Sequence, residues 1–196
     1  MQHASEQDYF DQRKHLLGAM KLGFGSTYTQ SCRYGTLTRG LDLTNKSCLL
    51  LGCGEGAGVP FLQAQGCENI YGADLIERHV VEARKRYPDL SNRFAVVDST
   101  AEALARSYDW VIASGTWNVK TATDKYEKIA ELLSYAGSRI SVGIATNFTT
   151  HIEGDEEAHS FCYMKVLEMF SARFNKWRVD HTYLNNDFSI WGYEPR

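Results

Sequence analysis

Ser47-Cys48-Leu49-Leu50-Leu51-Gly52-Cys53-Gly54-Glu55-Gly56-Ala57-Gly58 is the stretch whose reading decides the fold. Its opening is a short, continuous apolar run ended by glycine, as expected of a strand buried on both faces. The four alternate glycines that follow let backbone approach a ligand closely. A helix starting near Ala57 would present unpaired N–H groups, which attract an anion or a carboxylate. A plain tight turn is the bland reading, and alternate glycines set between a strand and a helix weigh against it.

Outward from that turn the alternation repeats. The patterning predicts helix Val59 to Gln65, strand Asn69 to Ala73, helix Glu77 to Tyr87 stopped by Pro88, and strand Arg93 to Val97. It continues with helix Ala101 to Ser107, strand Trp110 to Ala113, helix Asp124 to Tyr135, strand Arg139 to Ala145 and helix Asp155 to Phe174. Such a βαβ series implies a mostly parallel sheet covered by helices. At the end, Lys176 to Leu184 alternates polar and apolar residues, and Asn185-Asn186-Asp187 turns it back into Phe188 to Glu194, an antiparallel hairpin. Before the core, Ser5 caps a helix reaching toward Met20, and Gly18 to Gly40 reads as irregular cover.

The expected architecture is therefore α/β: a seven-stranded Rossmann-like sheet, mostly parallel, with an antiparallel C-terminal hairpin and helices on both faces. One domain spans residues 1–196, with 1–45 as a helical cover over the active site, because 196 residues suit a single core. The chain has 43% hydrophobic and 23% charged residues, an ordinary globular composition that excludes disorder and fibrous classes. No apolar run nears the about 18 residues that cross a bilayer, and Met1 to Met20 is too polar for a secretory signal, so no membrane partner and a cytoplasmic location are expected. A net charge of −3 with interspersed signs supplies no basic field, which disfavours a dedicated nucleic-acid binder. Cys32, Cys48, Cys53, Cys67 and Cys162 include no Cys-x-x-Cys pair, so neither a disulfide framework nor a zinc site is expected, and no metal is assigned.

The turn alone leaves two cofactors in competition. Gly52-x-Gly54-x-x-Ala57 satisfies the relaxed dinucleotide pattern, and Asp74 ends strand two where a ribose-binding acid belongs. Three features favour S-adenosylmethionine over NAD. Asp98 closes strand three and offers a carboxylate to an adenine amino group. Strand four ends in Ala113-Ser114-Gly115-Thr116-Trp117-Asn118, placing polar and aromatic groups beside the first turn. The closing hairpin, finally, differs from the sixth parallel strand of a dinucleotide fold.

From Cys48 to Asn118 the chain resembles the class I S-adenosylmethionine-dependent methyltransferases. The resemblance implies that Gly52, Cys53 and Gly54 wrap the methionine portion of S-adenosyl-L-methionine, whose product is S-adenosyl-L-homocysteine. It further implies that Asp74 binds the ribose hydroxyls, Leu75 lies beside adenine, Asp98 and Ser99 contact the adenine edge, and Ser114 stands near the sulfonium. A closer resemblance is to a bacterial subgroup of small-molecule type whose fourth strand ends Ala-Ser-Gly-x-Phe-Asn; here Trp117 replaces the Phe. That subgroup carries a segment like Arg33-Tyr34-Gly35, which adds Arg33 to the cofactor contacts, and a pair like Asn147-Phe148 after strand five.

Methyl transfer from a sulfonium needs alignment and exclusion of water more than a base. Trp117, Asn118, Asn147 and Phe148, with the segment Tyr28 to Tyr34, are expected to wall the site of the methyl acceptor. The plainer reading makes Trp117 core and Asn118 a turn residue. Asn118 and His151 are the catalytic candidates, against the reading of His151, Glu153 and His159 as surface groups near a helix start. Neither an Asp/Asn-Pro-Pro-Tyr sequence nor a Pro-Cys nucleophile follows strand four. A small-molecule acceptor methylated at nitrogen or oxygen is the expectation. Nucleic acid or protein as acceptor, a non-catalytic cofactor-binding module, and an NAD-dependent oxidoreductase, in that order, are the alternatives.

Overall fold

The computed structural model describes residues 5–16, 18–150 and 156–196. Seven strands form one sheet: β1 (Ser47–Leu51), β2 (Asn69–Asp74), β3 (Phe94–Val96), β4 (Tyr108–Ala113), β5 (Ile140–Thr149), β6 (Phe174–Asp180) and β7 (Asp187–Pro195). They lie in the order β3-β2-β1-β4-β5-β7-β6. The first five pair in parallel, and β7 runs antiparallel between β5 and β6.

Because side chains alternate along a strand, β1 feeds two cores. Leu49 and Leu51 join one hydrophobic cluster, and Cys48 and Leu50 the other. The first cluster is closed by α5 (Thr100–Ala103), α6 (Lys125–Ser134) and α7 (Tyr163–Ser171), through Ala103, Ile129, Leu132, Val166 and Phe170. The second is closed by α2 (Thr27–Thr38), α3 (Val59–Gln63) and α4 (Glu77–Arg86), through Leu37, Val59, Leu62 and Val80. The chain leaves β1 toward β2 on one side and returns to β4 on the other, so the loops after these strands diverge and leave a crevice. Among the described residues no helix is long and apolar enough to cross a membrane.

Several segments differ from expectation. The stretch read as irregular contains α2, capped by Ser26, whose hydroxyl accepts the Thr29 N–H at 3.1 Å. Its Thr- and Ser-rich sequence has little intrinsic helix preference; the helix is held by tertiary contacts, including a 2.9 Å hydrogen bond from Trp191 Nε1 to the Leu37 carbonyl. The expected first helix is interrupted: α1 (Glu6–Gln12), capped by Ser5, is followed by a 3-10 turn, Gly18–Leu22. The helix expected from Asp155 begins at Tyr163.

Strand β5 runs on to Thr149, because β7 pairs its far end, Asn147 with Ser189 and Phe148 with Phe188. Phe148 is accordingly a core residue, 0% exposed, with ring centroids 4.8 Å from Phe161 and 5.3 Å from Phe188. Phe148→Ala is expected to lower unfolding free energy by about 3–5 kcal/mol in urea denaturation; a loss under about 1 kcal/mol would contradict a packed core position.

Candidate functional site

The crevice is a cleft at the carboxyl ends of β1, β2 and β4, floored by Leu51 to Gly54 and by Ser114 to Trp117. Gly52 has φ 67°, and a Cβ there would lie 2.5 Å from Thr116 Oγ1, which itself donates to the Leu51 carbonyl at 2.8 Å. Any side chain at Gly52 would break this seam between the first and fourth loops. Of the N–H groups expected to be free in this turn, several are taken up within the fold. Gly52 and Cys53 donate to the Ala73 carbonyl at 2.8 and 3.0 Å, Gly56 to Cys53 at 3.0 Å and Val59 to Gly56 at 3.1 Å. Pro60 has no N–H, and α3 is a helix of only five residues. The donors of Gly52, Cys53, Gly56 and Val59 are taken up within the fold, while the N–H groups of Glu55, Ala57 and Gly58 have no hydrogen-bond partner among the described residues.

Asp74 closes the next edge. Its two carboxylate oxygens accept the Gly54 N–H at 2.7 Å and the Ile76 N–H at 2.9 Å, and His79 Nδ1 stands 3.3 Å away. A carboxylate has about four acceptor positions, so capacity remains toward the cleft. Leu75, Asp98 and Ser99 also line it. Ser99 Oγ accepts the Glu102 N–H and caps α5, while the Asp98 carboxylate has no hydrogen-bond partner among the described residues. Ser114 Oγ is buried beside the cleft without a hydrogen-bond partner among the described residues. These open polar groups, and a glycine turn on which a Cβ at Gly54 would already meet Leu22 at 3.4 Å, fit an adenosyl amino acid laid across the strand ends.

The corner after β4 is braced from behind. Trp117 is 3% exposed; it lines the cleft and belongs to the core, with Nε1 donating to Thr146 Oγ1 at 2.8 Å. Asn147, expected in the acceptor wall, lies beneath it: its Oδ1 accepts the Gly115 N–H and its Nδ2 donates to Asp187 Oδ1, each at 2.9 Å. Arg33, expected on the cofactor, donates instead to Asp187 Oδ2, from Nε at 2.7 Å and from Nη2 at 2.5 Å. The Tyr183 hydroxyl is a further donor to this carboxylate. Burial pushes the Asp187 carboxyl above its ordinary range, against the opposing pull of Arg33 and the other donors.

The remaining expected residues fall elsewhere. Asn118 braces the loop, its Oδ1 accepting the Thr149 N–H at 3.2 Å, and does not line the cleft. Tyr28 is 71% exposed and outside it. Phe148 is in the core, whereas Tyr34 does line the cleft. His151, Glu153 and Asp155 lie outside the described residues. His159 is outside the cleft, and burial lowers its pKa. Among the described residues no cluster of three metal-ligating side chains occurs.

The N-terminal segment, expected as a cover over the site, brings residues to the cleft that the sequence analysis did not name. Glu6, Phe10, Leu22, Phe24 and Gln30 all line the cleft. Glu6 pairs with Lys125 and Lys128 of α6, and Asp11 with Arg78 of α4 at 2.6 Å, so α1 bridges the two helical layers. Lys21 reaches Glu55 in the glycine turn at 2.5 Å. Burial raises the Glu6 carboxyl, but the hydrogen bond from Lys125 and the two lysine charges outweigh it and leave its pKa below the ordinary value. The sequence signal for these particular residues was aromatic and apolar residues at helical spacing, which a plain amphipathic helix also displays.

Residues 49–138 match the model of a family described as a methyltransferase domain. No curated protein matches the chain. Among solved structures, the magnesium protoporphyrin IX methyltransferase of Synechocystis with bound S-adenosylhomocysteine is 16% identical, covering 97% of this chain and 95% of that one with a TM-score of 0.63. A protein of Pyrococcus horikoshii is 17% identical over 89% of this chain and 93% of its own, with a TM-score of 0.67. An S-adenosylmethionine-dependent methyltransferase of Aquifex aeolicus is 14% identical over 90% and 98%, with a TM-score of 0.61. At such identities the likeness establishes a common fold.

The buried Arg33–Asp187 pair makes a stability prediction. Asp187→Asn and Arg33→Met each strand the partner's charge and are expected to cost about 3–5 kcal/mol, with the double variant little worse than the worse single. Urea unfolding of all four proteins measures the cycle; additive losses would contradict the coupling.

Proposed function

We propose that this chain, a class I S-adenosylmethionine-dependent methyltransferase, methylates a nitrogen or an oxygen of a small molecule. The observation that carries the reading is the apolar part of the cleft's lining: Phe10, Leu22 and Phe24 from the N-terminal segment line it together with Trp117 and Val119. A pocket closed by apolar and aromatic side chains suits a small acceptor better than a polymer strand, which needs an open basic groove.

In this reading Asp74 holds the ribose hydroxyls, Leu75 lies against adenine, and Asp98 and Ser99 meet the adenine edge. Gly52, Cys53 and Gly54 carry the methionine portion, with Ser114 near the sulfonium. The bound cofactor supplies an activated methyl group on a good leaving group. Trp117 gives the acceptor a rigid surface, since its indole is fixed by Thr146. Tyr34 adds a phenol that burial keeps protonated, because its pKa is raised by desolvation and by the nearby Cys53 and Asp74. Arg33, Asn147 and Asp187 act as positioning residues, holding the Gly115 N–H and with it the corner that meets the acceptor. Excluding water and aligning the acceptor supply the rate, and deprotonation before attack suffices for an amine above its pKa.

Incubating the protein with methyl-labelled S-adenosylmethionine and separate pools of metabolites, transfer RNA, duplex DNA and peptides tests the proposal. Label should enter the metabolite pool, and Trp117→Ala should lower turnover there by at least about tenfold. Labelling confined to a polymer pool would overturn it.

A further inference from the structure

His79 stands in the first turn of α4, is 2% exposed and lines the cleft. Its two ring nitrogens differ in what they meet. Nδ1 lies 3.3 Å from Asp74 Oδ1, whereas Nε2 is buried and has no hydrogen-bond partner among the described residues. Phe10 of α1 packs edge-on against the ring, with centroids 5.1 Å apart and an interplanar angle of 84°.

These contacts decide where the ring proton sits. A neutral imidazole has one N–H and one lone pair. With the proton on Nε2, the Nδ1 lone pair would meet a carboxylate oxygen with no hydrogen between them, and a buried N–H would stay unpaired at the other nitrogen. With the proton on Nδ1, the ring donates to Asp74 and only an acceptor is left unpaired, which costs less than an orphaned donor. Asp74 Oδ1 then accepts from two groups, this ring and the Ile76 N–H at 2.9 Å, while Oδ2 accepts the Gly54 N–H at 2.7 Å. Of the carboxylate's about four acceptor positions, three are filled and the open one is on Oδ2.

We infer that His79 is a positioning residue for Asp74: as the Nδ1–H tautomer it locks the carboxylate so that Oδ2 turns its open acceptor position to the cleft. The terminal torsion of an aspartate is broad and nearly two-fold, so the side chain needs such donors to hold one orientation. His79 acts through Asp74 and needs no contact of its own with a ligand. The inference rests on the reading of Asp74 as a cofactor-binding acid and adds to it the residue that orients the acid.

Nitrogen-15 NMR of the wild type at neutral pH reads the tautomer, the His79 signals being those that vanish in His79→Asn. They should show a protonated Nδ1 and a bare Nε2; a proton on Nε2 would overturn the inference. Calorimetric titration with S-adenosylhomocysteine reads the role. His79→Leu, which keeps apolar volume without a donor, should bind about fivefold to tenfold more weakly. His79→Asn, whose NH2 group stands where Nδ1 does, should return to within about twofold of wild type, whereas His79→Gln, whose NH2 group stands one bond further out, should not. Undiminished affinity in His79→Leu would overturn the inference, as would a loss that His79→Asn fails to recover, which would make His79 a packing residue. Wild-type protein that binds no S-adenosylhomocysteine would instead bring down the cofactor reading on which the inference stands.

Discussion

The carboxylate of Asp74 is the constraint on which the rest of this site depends. One oxygen takes the Gly54 N–H and the other the Ile76 N–H, so a single side chain joins the turn after β1 to the end of β2. Hydrogen bonds to a charged acceptor are stronger than neutral ones, about 1.5–3 kcal/mol each. They hold Gly54 at φ 52°, a left-handed conformation that glycine adopts without strain. With the turn fixed, Gly52 can meet Thr116, and the loops after β1, β2 and β4 become one surface.

Around this surface two kinds of support operate. Beneath the β4 corner lies the buried network of Arg33, Asp187 and Asn147, reaching from α2 through β7 to β5 and ending on the Gly115 N–H. Phe24 wedges between its two ends: the Arg33 guanidinium lies 5.3 Å from the ring centroid, and a Cβ at Gly115 would meet the ring at 2.9 Å. Above the cleft, α1 is tied by ion pairs to α6 and α4. Lys125 is the tighter of these anchors, being 1% exposed, with its pKa lowered by burial and with Glu6 as its partner. Removing Glu6 would strand a buried ammonium, so the cover and α6 stay together.

How far the sequence disclosed this follows from where each residue finds its partners. The parallel core was legible at Cys48 to Leu51, because a strand buried on both faces must be apolar throughout. That Asp74 and Asp98 stand at the cleft was legible from their places at and after strand ends. The end of β5 was not, since Thr146, Asn147 and Thr149 are polar residues buried in a strand and satisfied by Trp117, Asp187, Asn118 and His159, all distant in sequence or outside the strand. A residue-by-residue reading assigns such groups to a loop. Helix α2 was illegible for the same reason: Thr27–Thr38 has weak intrinsic preference and owes its order to Trp191 and Asp187. With α2 unseen, Arg33 was placed on the cofactor instead of on the network behind it.

The most direct measurement is the thermal stabilisation of wild type and Asp74→Asn by S-adenosylhomocysteine and by NAD at equal concentrations. The asparagine keeps the shape of the side chain but replaces one acceptor oxygen by a donor, which a ribose hydroxyl pair and the turn cannot both accommodate. S-adenosylhomocysteine should raise the melting temperature of the wild type, NAD should not, and Asp74→Asn should lose most of the shift. Stabilisation by NAD alone, or an undiminished shift in Asp74→Asn, would contradict the account.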